Sequence, residues 1–187
     1  GRCNVTNNCD SLDELISNVP VNGRFLYSAF SSFMPRDTME LFEDMGVPLK
    51  TERGNRVFPQ SDKSASILEC LQRKLREAGV TVVTDKVKNL LAVDGAIVGV
   101  STLKQKYYAT NVILATGGVS YPSTGSTGDG YAMASALGHT IIPPEGSLVP
   151  LEAEGSDCLD MQGLSLRNVG AKLVNQKGKV LYKDFGE

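Results

Sequence analysis

Between Ser61 and Ala78 the apolar residues recur at helical spacing, with Leu68, Leu71, Leu75 and Ala78 on one face, Ser61 placed to cap and Gly79 placed to stop the turn. A helix is predicted there. Val80-Thr81-Val82-Val83-Thr84 follows directly. An amphipathic helix that leads through one glycine into a β-branched run is half of a crossover unit, so this strand is expected in a parallel sheet. Two further strands, Val87–Val93 and Ala96–Leu103, meet at Asp94-Gly95, a dipeptide suited to a two-residue hairpin turn. Lys104-Gln105-Lys106 turns the chain again, and Tyr107-Tyr108-Ala109 leads to Asn111-Val112-Ile113-Leu114-Ala115. That run is short, apolar and bounded by Thr110 and Thr116-Gly117-Gly118, as in a strand covered on both faces. The expected fold is α/β, with residues 80–84 and 112–115 parallel in one mixed sheet and an antiparallel meander feeding the second of them.

Before this stretch the pattern is helical. Asp10-Ser11 caps a short helix through Ile16, and Asn22-Gly23 opens one carrying Phe25, Leu26, Ala29, Phe30 and Phe33. Pro35 breaks it, and Met39, Leu41, Phe42 and Met45 mark a third helix closed by Gly46. These form a helical cap segment over the sheet. Gly1-Arg2-Cys3-Asn4-Val5-Thr6-Asn7 is polar and is expected to be a loop. Thr51–Arg56 is a charged turn, in which Arg53 and Arg56 are either solvated or turned toward an anionic ligand. After His139, Pro143-Pro144 and Pro150 mark a boundary near Glu145-Gly146. Residues 1–145 then form one domain, and 146–187 open a second, β-rich one. Its short strands are expected at Leu148-Val149, Leu164–Leu166, Ala171–Val174 and Val180–Tyr182, with no helix.

The chemistry concentrates between residues 116 and 139. Gly117, Gly118, Gly125, Gly128 and Gly130 separate the apolar strand from a helix beginning near Tyr131 and ending at Gly138-His139. Glycine alone tolerates positive φ freely and leaves backbone bare enough for close approach by a ligand. A strand, such a loop and a helix N-terminus in succession is where open α/β sheets bind cofactors. The spacing is not G-x-G-x-x-G, and Asp129 already offers negative charge to the helix, so a hydroxyl of a ribose or ribityl chain fits better than a phosphate. The plainer alternative is that Asp129 only caps the helix. Tyr121, polar at its tip and apolar along its body, is the side chain in this loop suited to touch a substrate, or else simply packs the loop.

The sequence ILATGGVSYPSTGSTGDGYAMASALGH resembles the flavin-binding loop of a bacterial family of FAD-dependent oxidoreductases, which includes aminoacetone oxidase and bile-acid 3-dehydro-4,6-reductase-like proteins. GRCNVTN, NRVFPQSDKSAS and SLVPLEAEG are similar to segments of that family in the same order, and the likeness runs over essentially the whole chain. More distantly, ATGG followed by TGDG resembles the flavoprotein subunits of fumarate reductase and succinate dehydrogenase. The resemblance implies an FAD-binding domain in which Gly1, Arg2, Cys3 and Asn4 lie against the cofactor together with Thr116, Gly117, Gly118 and Asp129. Arg2, as a forked cation, and Asn4, as an amide, suit a pyrophosphate or flavin edge. It also implies a longer protein with a G-x-G-x-x-G strand and loop before residue 1 and further chain after 187. A segment without that loop is expected to hold FAD weakly, to show no turnover and to self-associate through exposed sheet.

Composition narrows the partners. A net charge of -2, with Lys and Arg interleaved among Asp and Glu, argues against nucleic acid. No apolar run approaches the roughly 18 residues of a membrane span, and the cytoplasm is the expected compartment. Cys3, Cys9, Cys70 and Cys158 match neither zinc spacing nor a disulfide framework and are read as reduced thiols. His139 has no nucleophile implied beside it, and Ser120, Ser123, Thr124, Ser126 and Thr127 lack the G-x-S-x-G elbow of a hydrolase. Hydride or electron transfer would fall to the flavin itself. The expected function is FAD-dependent oxidoreduction of a small organic molecule, possible NAD(P)H linkage included, with no metal and no catalytic side chain assigned. The alternative is a nucleotide-binding or structural module without a redox cofactor.

Overall fold

The computed structural model describes residues 1–146, 152–166 and 168–186. Its contacts divide the chain into two compact units, Gly1–Ile113 and Leu114–Glu187.

In the first unit, β1 (Thr6–Asn7), β2 (Leu49–Glu52) and β3 (Arg56–Pro59) form an antiparallel sheet in the order β1-β3-β2. Helix α3 (Pro35–Asp44) begins with proline at its first turn, and the Asp37 carboxylate accepts the Met34 N–H at 2.7 Å. Both features fix a helix start, because they supply the favoured φ and occupy a donor that the helix leaves unpaired. Helix α4 (Ser64–Glu77) follows β3. The core is Phe42, Val47, Leu49, Val57, Ile67 and Cys70, with Cys3, Val5, Met39 and Met45 packed against it. Val57 is fully buried at its centre. Helices α1 (Leu12–Ser17), capped by the Ser11 hydroxyl, and α2 (Tyr27–Ser32) bury no residue completely.

The predicted hairpin is present. Strands β4 (Val87–Val93), β5 (Ala96–Thr102) and β6 (Lys106–Tyr108) make an antiparallel sheet, with Asp94 and Gly95 both at positive φ in the turn. A two-residue turn of that handedness matches the twist of its strands. At Gly99 an added Cβ would sit 2.1 Å from the Tyr107 carbonyl oxygen, so β6 can approach only a bare backbone.

The parallel pair is not formed. Residues 80–84 and 111–115 belong to no strand, and every strand pairing among the described residues is antiparallel. A strand exists only by hydrogen bonding to a neighbour, and neither run meets one: Val82 is 69% and Ile113 91% exposed. The leucine face predicted for α4 is open for the same reason, Leu68 being 57% exposed, while Ile67 and Cys70 on the adjacent stripe reach the core. The N-terminal loop also differs from expectation. Its last residues form β1, anchored by the Val5 N–H on the Val57 carbonyl at 2.8 Å.

In the second unit, α5 (Asp129–Ala136) follows the glycine-rich loop, and β7 (Val169–Val174) pairs antiparallel with β8 (Val180–Gly186). The last two expected strands are thus present and longer than predicted. Leu148-Val149 lies outside the described residues, and Leu164–Leu166 forms no strand. A single helical turn, α6 (Asp157–Asp160), stands where no helix was expected, with Asp157 favourably placed at its positive end. No helix among the described residues is long and apolar enough to cross a membrane.

Candidate functional site

The loop after Ala115 is built by its glycines. Gly117 turns at φ 73°, a short 3-10 turn covers Pro122–Thr124, Gly125 takes φ 104°, and Gly128 at φ 76° stands immediately before α5. The Tyr121 carbonyl closes the middle of the loop by accepting the N–H groups of Thr124 and Ser126 and the Thr124 hydroxyl, at 3.0–3.2 Å. The two limbs then close on each other, the Gly128 N–H donating to the Gly118 carbonyl at 3.2 Å.

Side chains of each limb fill the space left by glycines of the other. A Cβ on Gly128 would lie 2.9 Å from a Val119 methyl, and one on Gly130 would lie 2.1 Å from the Thr116 hydroxyl oxygen. A Cβ on Gly117 would touch the Ser126 hydroxyl at 3.4 Å, and one on Gly118 the Tyr131 hydroxyl at 3.7 Å. Gly128 and Gly130 therefore serve the loop's own closure, whereas Gly125 has nothing within 4 Å of its Cβ position. Bareness that sequence alone assigns to a ligand is partly used internally.

Closure brings Thr116, Gly117 and Gly118 to the N-terminal turn of α5, whose first residue is Asp129. The position before the helix is Gly128, so Asp129 is not its N-cap; its half-buried carboxylate lies in the first turn, on the positive end of the dipole. Tyr121 is 70% exposed, and Tyr131 is 37% exposed beside Gly118. At the other end of α5, Gly138 at φ 89° lets the His139 N–H return to the Ala134 carbonyl at 3.2 Å. The glycine stop is as predicted, and His139 belongs to it.

The expected contacts at the N-terminus are engaged within their own unit. The Arg2 guanidinium lies 3.9 Å over the Phe58 ring and bridges Glu52 at 2.5 Å and Asp62 at 2.9 Å. Lys50 joins the same two carboxylates, at 3.3 Å and 2.6 Å. Hydrogen bonding to Arg2 holds the Glu52 carboxyl below its ordinary range, and hydrogen bonding to Lys50 does the same for Asp62. The group is two cations against two anions. The Asn4 amide nitrogen, oriented to satisfy its neighbours, donates to the carbonyls of Val57 and Thr6 at 3.2 and 3.0 Å. The Gly1 carbonyl accepts the Ser64 N–H at 2.9 Å, and Cys3 packs against the core.

The residues expected to meet a cofactor thus fall in both units, Gly1–Asn4 in one and Thr116–Asp129 in the other. Sequence reasoning missed the Lys50–Glu52–Asp62 group. Its signal was available, since Lys50 and Glu52 are two apart on a strand and share a face. Among the described residues no cluster of His, Cys, Asp or Glu is arranged to hold a metal.

The Thr116–Asp129 loop suits a flavin nucleotide. It offers open backbone at Gly125, side chains no nearer than 3.4 Å to the Cβ positions of Gly117 and Gly118, a carboxylate able to accept from a hydroxyl, and the Tyr131 hydroxyl beside Gly118.

Known proteins place this geometry in context. The chain is 32% identical over its full length to the 3-dehydro-bile acid delta(4,6)-reductase of Clostridium scindens, covering 44% of that protein. It is 28% identical to the ribosomal RNA dihydrouridine synthase of Haemophilus influenzae, over 89% of the chain and 42% of that protein. To the enzyme of the same name from Escherichia coli it is 25% identical, over 99% of the chain and 45% of that protein. The chain therefore spans less than half the length of these curated relatives. The family profile described as the HI0933-like protein Rossmann domain matches residues 1–183. With nearly every residue inside that match, the chain belongs to the HI0933-like family of FAD-binding, Rossmann-type α/β domains.

Proposed function

We propose that this chain is the FAD-binding part of an oxidoreductase that passes hydride or electrons between its flavin and a small organic substrate, with NAD(P)H as the source of reducing power. The carrying observation is the closed loop, which sets Thr116–Gly118 against the first turn of a helix that begins with Asp129. The flavin, when bound, supplies the redox chemistry. The chain's own residues position it: backbone at Gly117 and Gly118 allows close approach, Asp129 accepts from a hydroxyl of the cofactor chain, and Tyr121 faces a substrate. Residues 146–187 open the β-rich domain on the substrate side.

The relatives' names refine the reaction class. A delta(4,6)-reductase and a dihydrouridine synthase both add hydrogen across a carbon–carbon double bond. Reduction of an activated double bond is accordingly the reading for this protein, in preference to oxidation by dioxygen. Net charge -2 with no basic block supports a small molecule over RNA as the substrate.

Flavin absorbance in the complete gene product tests the cofactor; a colourless protein that takes up no added FAD leaves only a nucleotide-binding or structural role. Losing one charge-assisted hydrogen bond costs on the order of 1.5 to 3 kcal/mol, or roughly tenfold to a hundredfold in affinity. Asp129→Ala should therefore release flavin on gel filtration at low protein concentration, and full retention would remove Asp129 from the site. Anaerobic mixing of the holoenzyme and NADPH with a steroid dienone, and separately with uridine-containing RNA, tests the substrate class. Saturation of the RNA base alone would overturn the small-molecule reading.

A further inference from the structure

Sequence singles out Tyr121 in this loop, which is 70% exposed, whereas Tyr131, which reads in the sequence only as an apolar helix position, lies against the loop's glycines. Its ring crosses Gly128 with Cδ2 3.6 Å from that residue's Cβ position, while a Val119 methyl closes the other side at 2.9 Å. Glycine at 128 is required by its φ of 76° and by the Val119 methyl, and the ring lies against it at ordinary contact distance. The ring ends with its hydroxyl 3.7 Å from the Cβ position of Gly118, at the turn where the backbone leaves the Ala115 run.

The Gly118 carbonyl already accepts the Gly128 N–H at 3.2 Å. The Tyr131 hydroxyl has no hydrogen-bond partner among the described residues. Tyr131 is 37% exposed, so its ring is packed on one side and not enclosed. Asp129, two residues earlier in the same first turn, can only accept when ionised, whereas a phenol can donate. Together they complement a ligand that carries a hydroxyl and an acceptor oxygen.

We infer that the Tyr131 hydroxyl is a ligand-binding group of this loop, donating a hydrogen bond to an acceptor oxygen of the bound flavin nucleotide. The inference rests on the flavin reading above and adds to it a second side chain, one that fixes how the nucleotide lies across Gly117 and Gly118. Gly118 has an ordinary φ, so alanine there is conformationally acceptable and its methyl would stand between the hydroxyl and the ligand.

The test compares the complete gene product with Tyr131→Phe, Gly118→Ala and the control Tyr182→Phe, which alters an exposed tyrosine on β8. Flavin dissociation is followed by fluorescence, the visible flavin band by absorbance, and stability by melting the flavin-free protein. Removing one neutral hydrogen bond predicts roughly three- to tenfold weaker flavin binding for Tyr131→Phe. A shifted flavin band, a similar or larger loss for Gly118→Ala and unchanged behaviour of Tyr182→Phe are also expected, with the flavin-free melts all alike. Equal affinity and an unshifted band in Tyr131→Phe would overturn this inference and leave the flavin reading standing. Lower stability of flavin-free Tyr131→Phe would assign the hydroxyl to packing and overturn it likewise. A wild-type protein that takes up no flavin would overturn both.

Discussion

A methyl group on Gly130 would lie 2.1 Å from the Thr116 hydroxyl oxygen but 3.4 Å from the Thr116 Cβ, while Gly130 itself has helical φ. Alanine is better than glycine inside a helix by about 1 kcal/mol, and overpacking costs on the order of 1 to 3 kcal/mol. The clash should win. Gly130→Ala is expected to lower the melting temperature, and Thr116→Ala in the same chain to restore it, because the remaining contact is ordinary. A double variant no more stable than Gly130→Ala alone would place the strain elsewhere. The charged group around Arg2 makes a prediction in pH. Glu52 and Asp62 have folded-state pKa values depressed by their partners. Their contribution is fully present above the unfolded carboxylate values, near about pH 4, and is lost as pH falls through the lower folded values. Below that point the wild type should lose melting temperature faster than Glu52→Gln/Asp62→Asn, and high salt should narrow the difference, since all four side chains are partly exposed. Parallel acid profiles would show that the group contributes no stability.

Elements fixed by neighbours in sequence were legible; those fixed by distant partners were not. The Asp94-Gly95 turn, the helix break at Pro35, the Gly138 stop and the β7–β8 pair each rest on a local rule, and each is present. The runs at 80–84 and 111–115 carry strand composition, yet composition supplies no ladder partner. Helix α4 shows the same limit: periodicity finds its leucine face but cannot say what lies against it, and the stripe that reaches the core is Ile67 and Cys70. The glycine-rich loop and the helix after it were legible because their residue types are distinctive. The hydroxyl of Tyr131 was not, because its role depends on the loop folding back over Gly128. Substitutions on α4 separate the two faces. In this 187-residue chain Ile67→Ala should cost about 2 to 4 kcal/mol through the cavity it leaves. Leu68→Ala, on a side chain already mostly in water, should cost less than about 1 kcal/mol. Chemical denaturation measures both, and equal losses would show that the leucine face is covered.

At the scale of the whole molecule the same uncovered surfaces become one property. Val80, Val82 and Val83, then Ile113 and Leu114, then Leu68, Leu71 and Leu75 on α4, are all substantially exposed. Apolar patches of this kind ordinarily mark a surface that another polypeptide covers, and extended backbone without a ladder partner is a template for pairing. A net charge of -2 gives little repulsion to keep copies apart. The 187-residue chain is therefore expected to self-associate with rising concentration in sedimentation velocity and to bind a dye specific for exposed apolar surface. Charge placed on the uncovered runs, as in Val82→Lys with Ile113→Lys, should weaken both association and dye binding while leaving the β1–β3 core intact by circular dichroism. A chain that sediments as a monomer at high concentration and binds no dye would show instead that these runs are already covered.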